Sequence, residues 1–143
     1  MSHWSIAEFV ARTRETTPLA AAFGLEVEKL ESGLARVRLP FRAEFVRAGG
    51  TVSGPAMMML ADYALYAAVM SAAEQGELGL TANLNITFLR RPAPRDVIAE
   101  ARLIRCGRRL AYGEVVLFSD SEQEPVAHAT GTYSIPPQKR EDQ

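Results

Sequence analysis

Cysteine is almost absent from this chain. Cys106 is its one thiol in 143 residues, so no intramolecular disulfide forms. Histidine is limited to His3 and His128, and no Cys/His cluster has the spacing of a metal site. Lysine is nearly as scarce, with only Lys29 and Lys139 among 16 basic residues. Those 16 face 17 acidic residues, and a net charge of −1 excludes a general nucleic-acid binder working through a concentrated basic surface. The chain has no glycine-rich phosphate loop, no dinucleotide fingerprint, no internal repeat and no low-complexity stretch. Met1-Ser2-His3-Trp4 leads straight into amphipathic residues rather than a secretory signal. Together with the lone cysteine, this gives a reducing cytoplasm as the expected compartment.

What is present is an ordinary globular composition, 48% hydrophobic and 23% charged, at a length that suits one domain over residues 1–143. Its most distinctive stretch runs from Gly54 to Ala73 and reads as a helix. Ser53 or Gly54 supplies the cap, Pro55 suits the first turn, and Ala, Met and Leu fill the rest. The stretch is apolar on nearly every face, which marks a buried core helix rather than a surface one. A membrane span is the disfavoured alternative, because Asp62 sits mid-stretch and basic flanks are missing. Asp62 is the one charge in this helix. It is either a structural acid bonded to a neighbouring hydroxyl or amide, or a carboxylate whose reactivity is used. Met57, Met58 and Met59 read as core filler.

The rest of the chain alternates between short helices and strands. Ser5 to Glu15 forms an amphipathic helix capped by Ser5, and Leu19 to Phe23 adds a turn, giving an N-terminal helical segment over 1–23. Leu25–Leu30 and Leu34–Leu39 have a period of two and are joined through Ser32-Gly33 as a hairpin. A loop from Phe41 to Val52 carries Arg47 and Gly49-Gly50 into the long helix. Four more strands are expected at Thr81–Leu89, Val97–Arg105, Leu110–Ser119 and Pro125–Ser134, with a solvated tail over 136–143. Short connections imply antiparallel pairing, and one buried helix needs a sheet curved around it. The expected class is α+β.

This order, with its motifs, resembles the hotdog-fold acyl-CoA thioesterases of the phenylacetate-degradation type, over about residues 20 to 135. The resemblance is carried by Ser53-Gly54-Pro55 where that group has His-Gly-Gly, and by Leu60-Ala61-Asp62 at the following Leu-x-Asp. It is carried also by the Thr81–Pro92 strand, by Cys106-Gly107-Arg108-Arg109 and by Ala127-His128-Ala129-Thr130-Gly131-Thr132. It implies a curved antiparallel sheet wrapped around one central helix and a homodimer, either alone or joined to a second dimer as a tetramer. It also implies hydrolysis of an acyl-CoA thioester, with coenzyme A as part of the substrate and no metal or other cofactor. Partners of nucleic acid or membrane type are not expected.

By that resemblance Asp62 is the general base or nucleophile, and a hydroxyl at Thr81 helps to place the acid or the water. Gly54 would present its amide as oxyanion donor, as free N–H groups at a helix start favour developing negative charge. Asp62 lies seven residues beyond Pro55, roughly 10 Å along one helix, so one carbonyl meets both Asp62 and the helix start only if two chains contribute. Alternation puts Thr81 opposite the apolar residues of its strand. Ser53, Asn83 and Arg47 join the substrate-binding set. Arg90 and Arg108, with Arg91 and Arg109, either hold coenzyme A phosphates or remain on a solvated surface. Arg47 replaces the group's upstream Asn. It is an oxyanion donor, a receptor for a carboxylated acyl group, or a surface arginine. Ser53 and Pro55 in place of His and Gly leave a ligand-binding protein without turnover as the alternative. A hydratase or dehydratase is disfavoured, because those enzymes use a His where Ser53 stands.

Overall fold

Serine, proline and glycine set the start of the central helix. In the computed structural model, which describes residues 2–137, α3 runs Gly54–Ala72 over 19 residues. The Ser53 hydroxyl accepts from the Ala56 N–H at 3.4 Å, and Pro55 occupies the first turn, where its missing N–H costs nothing. The helix ends at Ala72, one residue before the expected Ala73, where the Ala73 N–H closes onto the Val69 carbonyl. By length and composition α3 would suffice to cross a membrane. Its Leu60, Ala64, Leu65, Ala68, Val69 and Met70 are instead buried inside the domain.

Six antiparallel strands wrap this helix: β1 Glu26–Glu31, β2 Leu34–Leu39, β3 Leu80–Phe88, β4 Val97–Cys106, β5 Leu110–Ser119 and β6 Pro125–Ser134. Each lies within two residues of its expected bounds. Their order across the sheet is β1-β2-β4-β5-β6-β3. The chain thus leaves β2, passes through α3, and lays β3 on the far edge beside β6 before returning to the centre. Because α3 touches all six strands, the sheet is curved around it, as in the expected hotdog arrangement.

Two facing glycines make room for a helix side chain against the sheet. Gly113 of β5 pairs with Gly131 of β6, and Leu65 of α3 is seated over both. A Cβ at Gly131 would fall 2.5 Å from Leu65 Cδ2, and one at Gly113 2.8 Å from Leu65 Cδ1. A side chain at either position would displace Leu65, and at Gly113 it would also meet the Arg102 carbonyl oxygen at 2.7 Å.

The N-terminal segment forms α1 Ile6–Thr16 and α2 Pro18–Ala22. Ser5 caps α1 by accepting from the Glu8 N–H at 3.1 Å. Phe9 is fully buried against the rings of Tyr63 and Tyr66, and the Thr13 hydroxyl lies 2.9 Å from the Tyr63 hydroxyl. α1 is therefore fastened to α3 by both apolar and polar contacts. The other sheet face carries cross-strand ion pairs: Glu28 with Arg36 and Arg38, Arg36 with Glu100, Arg38 with Asp96, and Arg102 with Glu114. Opposite charges placed across strands support the register there. Of the tail expected over 136–143, residues 138–143 lie outside the described residues.

Candidate functional site

Most of α3 is covered, but one stripe is not. Pro55, Met58, Met59, Asp62 and Tyr66 are exposed or half-buried, and their spacing of three to four residues puts them on one face. Asp62 is the one charge on that stripe. Two hydroxyls converge on it. Thr81 donates to Asp62 Oδ1 at 2.8 Å, and the Tyr133 hydroxyl lies 2.5 Å from the same oxygen and 3.1 Å from the Asp62 carbonyl. Oδ2 has no protein donor among the described residues. One carboxylate oxygen is thus held and the other left for a ligand or water.

A β-bulge delivers Thr81 to this position. Strict alternation would turn Thr81 to the face of Asn83, Asn85 and Thr87, away from the helix. In β3, however, Thr81 pairs with Tyr133 while Asn83 pairs with Thr132, so Ala82 is an extra residue opposite no partner. Thr81 therefore shares the inner face with Leu84, Ile86 and Phe88, which pair with Gly131, Ala129 and Ala127. The expectation that Thr81 lies opposite the apolar residues of its strand is corrected by this single insertion.

Tyr133 is a site residue that the sequence reading does not single out. It follows Ala127, Ala129 and Gly131 on the inner face of β6, a large hydroxyl-bearing ring in a row of small residues. That contrast is the signal that could have found it. Burial pushes the Tyr133 hydroxyl well above its ordinary value, and the Asp62 charge pushes it further, so it stays a donor. Burial likewise raises Tyr66 to about 12, with the Glu77 charge adding to the effect.

Asp62 opens into a cavity of about 500 Å³. Met59, Tyr63 and Tyr66 of α3 line it, as do Arg12, Thr16 and Leu19 of α1 and α2 and, beyond them, Glu77, Leu80 and Tyr133. The lining mixes apolar and aromatic side chains with Asp62, the Arg12–Glu77 pair and the threonines Thr16, Thr17 and Thr81.

The other expected site residues lie elsewhere. Gly54 is at the start of α3, and among the described residues its N–H has no protein acceptor. Pro55 has no N–H, Ala56 donates to the Ser53 hydroxyl, and Met57 donates to the Ser53 carbonyl. The Phe88 ring covers Gly54 closely enough that a Cβ there would sit 3.3 Å from it. Gly54 does not line the Asp62 cavity. Ser53 is engaged in capping. Asn83 faces outward from β3, and Arg47 is exposed in a loop closed by the Val46–Val52 bridge. Arg90 is exposed and paired with Glu124 at 2.8 Å. Arg108 and Arg109 border a second cleft of about 750 Å³, between the end of α3 and Ile135–Pro137. Cys106 lines that cleft too, and burial raises its thiol above the ordinary value, which disfavours the nucleophilic thiolate.

Comparison with known proteins gives consistent results. The family pattern of the thioesterase superfamily matches residues 49–126. A "Putative esterase" of Saccharolobus solfataricus is 32% identical over 112 residues, covering 78% of this chain and 73% of that protein. The crystal structure of a "putative thioesterase" from Silicibacter sp. TM1040 superposes with a TM-score of 0.87 at 37% identity, over 96% of this chain and 95% of that one. A mutant of the phenylacetic acid degradation protein PaaI from Thermus thermophilus superposes with a TM-score of 0.72 at 27% identity, over 83% and 99% of the two chains.

Proposed function

This chain belongs to the thioesterase superfamily, and from that premise we propose that it hydrolyses an acyl-CoA thioester to the free acid and coenzyme A. The observation that carries the reading is the Asp62 carboxylate, with Oδ1 held by Thr81 and Tyr133 and Oδ2 without a protein donor among the described residues, at the edge of the cavity. Oδ2 takes the proton of a water that attacks the thioester carbonyl, or itself attacks that carbon. In either route the carbonyl oxygen gains negative charge and the coenzyme A thiolate departs. In the second a water then cleaves the acyl–Asp62 anhydride to release the acid and restore the carboxylate. No step needs a resident cofactor.

The oxyanion donor on this reading is the Gly54 N–H of a second copy. Within one chain Gly54 and Asp62 are roughly 12 Å apart along the same helix, too far for one carbonyl to meet both. A homodimer is also favoured by what one copy leaves open. β3 is an edge strand carrying Leu80, which is 72% exposed, and Phe88 lies exposed at its end. Beside it runs the uncovered stripe of α3 with Met58. An unpaired apolar edge is a liability that pairing with a second copy removes. For coenzyme A phosphates, Arg108 is the better placed candidate, since Arg90 already pairs with Glu124. A cytoplasmic setting keeps Cys106 a free thiol.

One observation favours a second reading, an acyl-CoA-binding protein without turnover. With Pro55 lacking an N–H and Ser53 engaging those of Ala56 and Met57, Gly54 holds the one free first-turn amide among the described residues. That is a lean oxyanion site. Measuring thiol release from a panel of acyl-CoA esters, with binding in parallel, separates the two. Release supports hydrolysis, and tight binding without release supports the second reading.

A further inference from the structure

We propose that the Arg12–Glu77 ion pair closes the end of the Asp62 cavity remote from the carboxylate, and so limits the length of acyl chain that the site accepts. This rests on the proposed hydrolysis of acyl thioesters at Asp62 and adds the part of the chain that measures the substrate.

A chain of contacts runs from the carboxylate to the pair. Asp62 Oδ1 is bonded to the Tyr133 hydroxyl, and the Tyr133 ring lies 6.0 Å from that of Tyr66. The Tyr66 hydroxyl donates to the Glu77 carbonyl at 2.7 Å, and the Glu77 carboxylate accepts from the Arg12 guanidinium. Tyr63 and Tyr66, which follow Asp62 along α3 on the Glu77 side, line the cavity together with Leu19. An acyl chain entering at Asp62 therefore runs along apolar and aromatic surface and then meets a pair of charges.

The pair is held in place from both sides. Arg12 is on α1, which Phe9 and Thr13 fasten to α3. Glu77 is in the turn Gly76–Leu78, and that turn is pressed against the helix. A Cβ at Gly76 would lie 2.8 Å from the Val69 carbonyl oxygen and 2.9 Å from Met70 Cα. Two segments 65 residues apart in sequence are thus bridged across the cavity. As a surface contact the pair adds little to stability. As a barrier its chemistry matters, because an alkyl end pushed against it must strip water from two charges without offering a hydrogen bond in return.

Each methylene buried along the apolar wall strengthens binding roughly fourfold. Affinity should rise by that step along a straight-chain series and then stop where the chain reaches the pair. Opening the pair should move the stop.

The test uses full-length wild type, Arg12→Ala, Glu77→Ala and the exchanged double variant Arg12→Glu/Glu77→Arg. For each, kcat/KM is measured on straight-chain saturated acyl-CoA esters, and affinity by calorimetry on the matching S-alkyl-CoA thioethers, which cannot be hydrolysed. The expected result is a cut-off in wild type and a cut-off about two or more carbons longer in each single variant. The first chain beyond the wild-type limit should gain at least tenfold, and the exchanged variant should return the cut-off toward wild type. An unchanged cut-off in the single variants, or the same shift in the exchanged variant as in the singles, overturns the proposal. Thioether binding that shows the shift in the absence of any turnover would overturn the hydrolase reading and leave the length limit standing. If no alkyl series binds to wild type, the proposal fails on its own account.

Discussion

The Thr81 hydroxyl donates to Asp62 Oδ1 at 2.8 Å from a strand whose simple alternation would point it the other way. The bulge at Ala82 makes the contact, so Thr81 is a site residue by local backbone geometry. Hydrogen bonds to charged groups contribute about 1.5–3 kcal/mol. Thr81→Val should therefore lower kcat on an acyl-CoA ester roughly 10- to 100-fold with little change in KM, and Thr81→Ser should recover most of the loss. Steady-state kinetics of the three proteins checks this. A Val variant with wild-type kcat would show the contact to be incidental.

Tyr133→Phe keeps the ring that packs on Tyr66 and deletes only the donor to Asp62. The expected outcome is a fall in kcat of at least ~10-fold at nearly constant KM. Because Thr81 and Tyr133 hold the same oxygen, their effects should not be additive, and the double variant should fall short of or exceed the product of the singles. Independent, multiplying effects would indicate that the two hydroxyls do not act on Asp62 together.

Assembly is tested by light scattering and by mixing. The protein should be at least a dimer, and Leu80→Lys on the exposed edge strand should drive it toward monomer with loss of hydrolysis. Neither Asp62→Asn nor Gly54→Val alone should turn over efficiently. Equal mixtures, after subunit exchange, should regain up to about a quarter of wild-type activity, since half the dimers are mixed and each has one intact site. A monomer with full activity would exclude the shared site.

The outer sheet face gives a pH dependence whose sign is fixed by its carboxylates. At Glu28 burial acts to raise the pKa, but hydrogen bonds from Arg38 and Arg36 outweigh it and hold the carboxyl below 4.5. At Glu114 a hydrogen bond from Arg102, with a further one from His128, does the same. A lowered folded-state pKa means stability that is present above the unfolded value and lost as pH falls through the folded one. Thermal midpoints should thus be flat for these groups above pH 4.5 and decline below it, and Glu28→Gln should make the decline shallower. A steeper decline in the Gln variant would contradict the assignment.

The central helix was legible because its signals are local. Ser53, Pro55 and the Ala/Met/Leu run specify α3, Ser32-Gly33 marks the first hairpin, and Asp62 declares itself as a lone charge. Thr81 could be named but not oriented, since a one-residue insertion in an otherwise alternating strand leaves no mark in the pattern. Tyr133 and the Arg12–Glu77 pair were missed for another reason. They reach the site only through the crossover that puts β3 beside β6 and through the return of α1 over α3. Those relations are set by tertiary packing between residues far apart in sequence. Arg47, Asn83, Arg90 and Arg108 are placed outside the Asp62 cavity of a single chain.

The most direct test of the central claim is thiol release from an acyl-CoA ester by wild type and by Asp62→Asn. The substitution keeps the side chain's size and an oxygen for Thr81 and Tyr133, and removes the basic atom left free at Oδ2. The account predicts that kcat falls by at least ~10²-fold, the loss typical of a missing general base, while thioether binding and the thermal midpoint stay close to wild type. Retention of most of the turnover by Asp62→Asn would contradict it.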